Sequence, residues 1–146
     1  MTYKLAPSIL AADVTCLGDQ VKDLGKYGAD YVHIDIMDGV FVPNLSFGLP
    51  VVRGLRECTD LFFDVHLMIT EPGNYIRDFS ACGADGITVH AEACADGLEE
   101  VILKILGYGA KPAVAIRPDT PVDVLLPVLD KLSMVLVMTV YPGYGG

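Results

Sequence analysis

No apolar run in the chain approaches the roughly 20 residues that a helix needs to cross a bilayer, so no membrane span and no membrane partner are expected. Met1-Thr2-Tyr3-Lys4 carries neither the apolar stretch nor the small-residue cleavage site of a secretory signal, which points to the cytoplasm. Basic residues are scarce, 10 Lys and Arg against 19 Asp and Glu, for a net charge of −9. A nucleic-acid partner favours a basic stripe for phosphate contacts, so none is expected, and an anionic small substrate has to be held by local groups. Cysteine is thinly spread: Cys16, Cys58, Cys82 and Cys94 form no CxxC pair, which argues against a zinc knuckle or a dithiol redox motif and leaves reduced, mostly packed thiols.

What is present is one core's worth of apolar sequence. The 146 residues are 52% hydrophobic with no shift of composition along them, so residues 1–146 read as a single domain. Six β-rich runs recur, at Leu5–Leu10, Tyr31–Ile36, Leu61–Met68, Gly86–His90, Lys111–Ile116 and Met134–Val140, separated by stretches of helical periodicity. Asp13 can cap a helix reaching about Tyr27, Pro72 suits a first turn before Asn74–Cys82, Gly97–Tyr108 is apolar at helical spacing, and Pro121 introduces Val122–Lys131. A faint repeat, Gly28-Ala29-Asp30, Gly83-Ala84-Asp85 and Gly109-Ala110-Lys111, places a helix-ending glycine before the second, fourth and fifth runs.

Successive runs start about 23 to 30 residues apart, near the roughly 30 per unit of an eight-unit barrel of about 250 residues. A doubly wound sheet would normally place a glycine-rich phosphate turn after its first strand, where this chain reads Leu10-Ala11-Ala12-Asp13. The expected fold is therefore α/β of the (β/α)8 TIM-barrel kind, incomplete, with six parallel strands and five helices.

Period-two alternation puts His33, Asp35 and Met37 on one face of the second run, with Ile34 and Ile36 on the other. The third run repeats the pattern, with His66 and Met68 sharing a face. One buried histidine is more often a hydrogen-bonded core residue than a ligand. Three polar ligand-type groups at matched parity on adjacent strands are harder to explain as core, because burying them unpaired is costly. His33, Asp35 and His66 thus form a candidate mixed N/O site for one divalent ion, with Zn²⁺, Fe²⁺, Mn²⁺ and Co²⁺ all compatible. Such a site at strand ends suits moving a proton beside a carbonyl. His90, followed by Glu92, is expected to orient the ligands rather than join them. Asp64 shares the parity of His66 but lies deeper and reads as a structural carboxylate. Met37, Met68 and Met138 are expected to make the pocket apolar and poor in water. Gly143, Gly145 and Gly146, around Tyr144, allow backbone N–H groups to approach an anion such as phosphate.

Four segments carry a resemblance: Ala6-Pro7-Ser8-Ile9-Leu10, the long stretch from His33-Ile34-Asp35-Ile36-Met37-Asp38-Gly39 to Phe41-Val42-Pro43-Asn44, Asp64-Val65-His66-Leu67-Met68, and Val137-Met138-Thr139-Val140-Tyr141-Pro142-Gly143-Tyr144-Gly145-Gly146. In this order, across the whole chain, the sequence resembles ribulose-phosphate 3-epimerase. The resemblance implies an enzyme interconverting D-ribulose 5-phosphate and D-xylulose 5-phosphate through proton abstraction at C3 and an enediolate. It implies His33, Asp35 and His66 as metal ligands, Asp35 also as catalytic base, and Ser8, His66 and Gly143 to Gly146 as substrate contacts. The complete protein would be a homo-oligomer. Against the family pattern the chain stops after its sixth run, so strands seven and eight and the second catalytic aspartate, also a metal ligand, would be missing. Arg117 stands before Pro118 where the family usually has Asn; it suits either phosphate attraction or a solvated loop. Two alternatives stand beside this reading: an epimerase for a related ketose phosphate such as D-allulose 6-phosphate, and an inactive metal- or phosphate-binding fragment.

Overall fold

The computed structural model describes residues 3–94 and 97–144. Five strands, β1 (Tyr31–Met37), β2 (Phe62–Met68), β3 (Gly86–His90), β4 (Lys111–Ile116) and β5 (Met134–Val137), form one sheet. Every pairing is parallel, and each strand lies beside the next in chain order. That order has no reversal of the kind that defines a doubly wound sheet. The α-helices are α1 (Leu17–Leu24), α2 (Leu49–Arg56), α3 (Ile76–Ala81) and α4 (Leu98–Gly107).

The expected six strands and five helices are thus corrected to five strands and four α-helices among the described residues. Leu5–Leu10 runs beside β1, with Leu5 C=O accepting from the N–H groups of Asp30 and Tyr31 and Pro7 C=O accepting from His33. Only Ser8 forms a bridge, to His33. Pro7 has no N–H to give to a ladder, and the chain then coils into a 3-10 turn at Ile9–Ala11, capped by Ser8. Val122–Lys131 is two 3-10 turns, Val122–Leu125 and Leu129–Lys131, instead of a helix. Pro127 between them removes a donor and crowds the preceding turn. The last run pairs only as far as Val137, although Met138 N–H still reaches Ile116 C=O at 3.0 Å.

The three repeat glycines do end helical segments in left-handed conformation, with φ of 85°, 99° and 82° at Gly28, Gly83 and Gly109. At Gly83 a Cβ would lie 2.6 Å from Arg56 Cδ, so the position excludes any larger residue without moving Arg56. That arginine bonds to Asp85, to the Gly83, Thr59 and Leu61 carbonyls, and lies 3.9 Å from the Phe63 ring centroid.

The sheet is two-faced. Val32, Ile34 and Ile36, Phe63, Val65 and Leu67, then Ile87, Val89, Val114 and Ile116 bury themselves in the main core with the helices. The opposite parity carries His33, Asp35, Asp64, His66, Thr88 and His90, so one face gathers the polar side chains. Among the described residues no helix is long and apolar enough to cross a membrane.

All four cysteines are free thiols. Cys94 is buried, and burial together with the charge of Glu92 pushes its thiol up to about 12, whereas Cys16 is exposed. Iodoacetamide at pH 8 is expected to label Cys16 and to spare Cys94 until denaturant is added, as peptide mass mapping will show. Rapid labelling of Cys94 in the folded chain would contradict this packing.

Candidate metal centre

Parallel register sets Asp35 opposite His66 and His33 opposite Asp64. Asp35 Oδ1 consequently lies between two imidazoles, 3.1 Å from His33 Nε2 and 2.9 Å from His66 Nδ1. One ligand atom from each of His33, Asp35 and His66 falls within 4.8 Å of the others, close enough to share one cation. Ser8, carried beside β1 by its bridge, donates its hydroxyl to Asp35 Oδ2 while accepting from Leu10 N–H.

The donor set suits a divalent ion of the zinc, iron, manganese or cobalt type, being two nitrogens and a carboxylate oxygen on rigid strands. Each imidazole is also held from behind. His33 Nδ1 bonds Asp64 Oδ2 at 2.8 Å, and Asp64 Oδ1 accepts from Thr88 Oγ1 at 2.7 Å. His66 Nε2 lies 2.9 Å from His90 Nε2, and His90 Nδ1 lies 3.1 Å from Glu92 Oε2. Outer partners of this kind orient metal-binding histidines.

Charge at the centre is sharply divided. Burial disfavours a charged His33, but its hydrogen bonds to Asp35 and Asp64 outweigh that and hold the imidazole up to about 10. Asp35 is also penalised by burial, yet the hydrogen bond and charge of His33, with the Ser8 hydroxyl, keep its carboxyl well below the usual range. Burial pushes His66 down despite Asp35, and burial together with His66 takes His90 down to about 4. The metal-free centre therefore balances a carboxylate with a proton on His33, in the place where an ion would sit.

A cavity of about 250 Å³ opens above these groups, lined by Ser8, His33, Asp35 and His66 with Met68 and Met138. Gly143 and Tyr144 border it, whereas Gly145 and Gly146 lie outside the described residues. Met37 packs with Met68 and Val42 in a small apolar cluster apart from the main core. A wider hollow of about 430 Å³, lined by Glu71, Glu92 and Glu100 among others, gathers no ligand cluster among the described residues.

Asp64, which the sequence marks as a deep structural carboxylate, is buried and holds His33 from behind. Asn44, to which the sequence assigns no role, donates through Nδ2 to Gly143 C=O at 3.0 Å. Gly143 has φ of 120°, and a Cβ there would lie 3.2 Å from Val42 Cβ, so the segment after β5 is seated on the loop after β1. Asp38 braces the same rim, accepting from the N–H groups of Val40, Phe41 and Thr70.

A family model described as the Ribulose-phosphate 3 epimerase family matches residues 4–146. The chain belongs to that family. It is 52% identical over 143 residues to the "Ribulose-phosphate 3-epimerase" of Bacillus subtilis (strain 168), covering 98% of this chain and 65% of that protein. It is 43% identical over 146 residues to the "Ribulose-phosphate 3-epimerase, cytoplasmic isoform" of Oryza sativa subsp. japonica, covering 98% of this chain and 64% of the relative. This epimerase-family chain thus spans less than two thirds of the length of these curated relatives. Among solved structures, a mutant tryptophan synthase α-subunit from Pyrococcus furiosus matches with a TM-score of 0.66 at 15% identity, over 97% of this chain and 68% of that one. The subunit from Legionella pneumophila str. Paris matches at 0.65 and 13%, over 92% and 61%. At such identities the likeness is one of fold, an α/β arrangement on a parallel sheet.

Proposed function

We propose that the chain forms the metal-binding part of a (β/α)8-barrel ribulose-phosphate 3-epimerase, an isomerase that interconverts D-ribulose 5-phosphate and D-xylulose 5-phosphate. The observation that carries this reading is Asp35, a carboxylate held between two imidazoles at the floor of a cavity, together with membership of the family. His33, Asp35 and His66 would hold one divalent ion, which supplies a Lewis acid for the substrate's carbonyl.

In this reading Asp35 acts as general base. It takes the proton from C3; the C3–H electron pair becomes the C2–C3 double bond, and the carbonyl π pair moves onto O2. The product is a planar enediolate. Ser8 fixes the carboxylate through Oδ2, and Met68 and Met138 line the cavity with apolar surface that limits stray protonation by water. The backbone at Gly143 and Tyr144 borders the same cavity and offers a seat for the phosphate, in a chain whose charge is otherwise −9.

Returning the proton to the same face regenerates the starting sugar, and inversion needs a second acid on the other face. Among the described residues the nearby carboxylates are engaged: Asp64 by His33 and Thr88, Glu92 by His90, Arg117 and Thr120. The second carboxylate is assigned to the third of the relatives' length that has no counterpart here. The same observation favours a second reading, in which these 146 residues alone bind metal and sugar phosphate without turnover.

In D₂O, the metal-loaded chain is expected to replace the C3 hydrogen of D-ribulose 5-phosphate with deuterium, followed by proton NMR. Exchange, with or without D-xylulose 5-phosphate, supports the epimerase reading. Binding of metal and sugar without exchange supports the second, and neither binding nor exchange removes both.

A further inference from the structure

Asp35, His66, His90 and Glu92 form a continuous line of polar contacts across β1, β2 and β3, and its ends are both carboxylates. The line has three contacts: Asp35 Oδ1 to His66 Nδ1 at 2.9 Å, His66 Nε2 to His90 Nε2 at 2.9 Å, and His90 Nδ1 to Glu92 Oε2 at 3.1 Å. A carboxylate only accepts, and a neutral imidazole has one N–H. Two imidazoles therefore bring two donors to three contacts, and one contact must set acceptor against acceptor.

The far end is the more firmly fixed. Glu92 Oε1 accepts from Arg117 N–H at 2.8 Å and from the Thr120 hydroxyl, which leaves Oε2 facing His90. His90 is fully buried and cannot turn away freely, because Phe41 lies against its ring with centroids 5.0 Å apart and Arg117 covers Phe41 at 4.5 Å. If Glu92 draws the His90 N–H onto Nδ1, then His90 Nε2 accepts, His66 Nε2 must donate, and His66 Nδ1 is left with its lone pair toward Asp35. The missing donor then falls at the junction of His66 and Asp35, where a cation would complete the line.

We propose that Glu92, acting through His90, is a positioning residue that commits His66 to present Nδ1 to the metal. This rests on the metal reading above and deepens it: the demand for a cation between Asp35 and His66 is set from the loop after β3, two side chains away. Glu92 stands outside the His33, Asp35 and His66 cluster and does not line the cavity above it.

The chain holds only three histidines, His33, His66 and His90, so a long-range proton–nitrogen spectrum of ¹⁵N-histidine-labelled, zinc-loaded protein resolves the whole line. The wild type is expected to show His66 with zinc on Nδ1 and hydrogen on Nε2, and His90 with hydrogen on Nδ1. Glu92→Gln, which keeps the shape but can present an N–H₂ to His90, is expected to shift the His90 hydrogen toward Nε2 and to weaken zinc about 10- to 100-fold. Its circular dichroism should match the wild type. Thr120→Val, which keeps the charge and removes one of its supports, should weaken zinc less and leave the His90 tautomer in place. Zinc bound through His66 Nε2, or tautomers and affinity unmoved in Glu92→Gln, overturns the assignment alone. A wild type that takes up no zinc overturns the metal reading and this assignment with it.

Discussion

Asp35→Asn is expected to abolish deuterium exchange at C3, with a loss of about 10²- to 10⁴-fold from removal of the base alone and a further loss from weaker metal binding. The amide matches the carboxylate in shape, so Ser8 keeps a partner and the strand keeps its register. What disappears is the charge that Oδ1 offers to two imidazoles at once. A second consequence separates this variant from mere misfolding. Asp35 heads the interactions that hold the His33 imidazole up to about 10, so its titration, followed by NMR in the metal-free protein, should move downward in Asp35→Asn. Exchange within tenfold of wild type would remove Asp35 from the role of base.

Zinc affinity is expected to climb about tenfold for each pH unit between about 7 and 9, or about 1.4 kcal/mol per unit. In the metal-free chain His33 carries a proton up to about 10, raised from 6.5 by Asp35 and Asp64 against the penalty of burial. A metal ion must displace that proton to reach His33 Nε2, and protons become scarcer competitors as pH rises. The sign for stability is the reverse. A raised histidine pKa stabilises the metal-free fold fully below 6.5, and that contribution is lost as pH climbs through about 10. Asp35, whose carboxyl is held low, contributes above its ordinary 3.8 and loses that contribution as acid is added. Competition with a chromogenic chelator across the pH range measures the first effect; melting curves with and without chelator measure the second. A pH-independent affinity would show that His33 is not a ligand.

The site was legible where it depended on alternation. His33 and Asp35 share a face because successive side chains of a strand point opposite ways, and the same rule places His66 one strand over. Register was not legible. Depth marks Asp64 as a structural carboxylate, but nothing local says that β1 and β2 align it with His33, 31 positions away. The Asn44 bond to Gly143 spans 99 positions and leaves no local trace at all. The strand and helix corrections have visible agents, Pro7 and Pro127, but a proline's effect depends on which backbone donors its neighbours need. That is a property of pairing, and the apolar pattern around both residues read as regular structure.

All three candidate ligands lie on β1 and β2, which are adjacent in sequence, joined through α2 and paired along their full length. The three candidate ligands are therefore all in the chain by Met68, whereas His90 and Glu92, which stand behind His66, come only with β3 and the loop after it. Because those groups are divided between two paired strands, an ion gripping all three would hold that pair in one register and oppose slippage of one strand along the other.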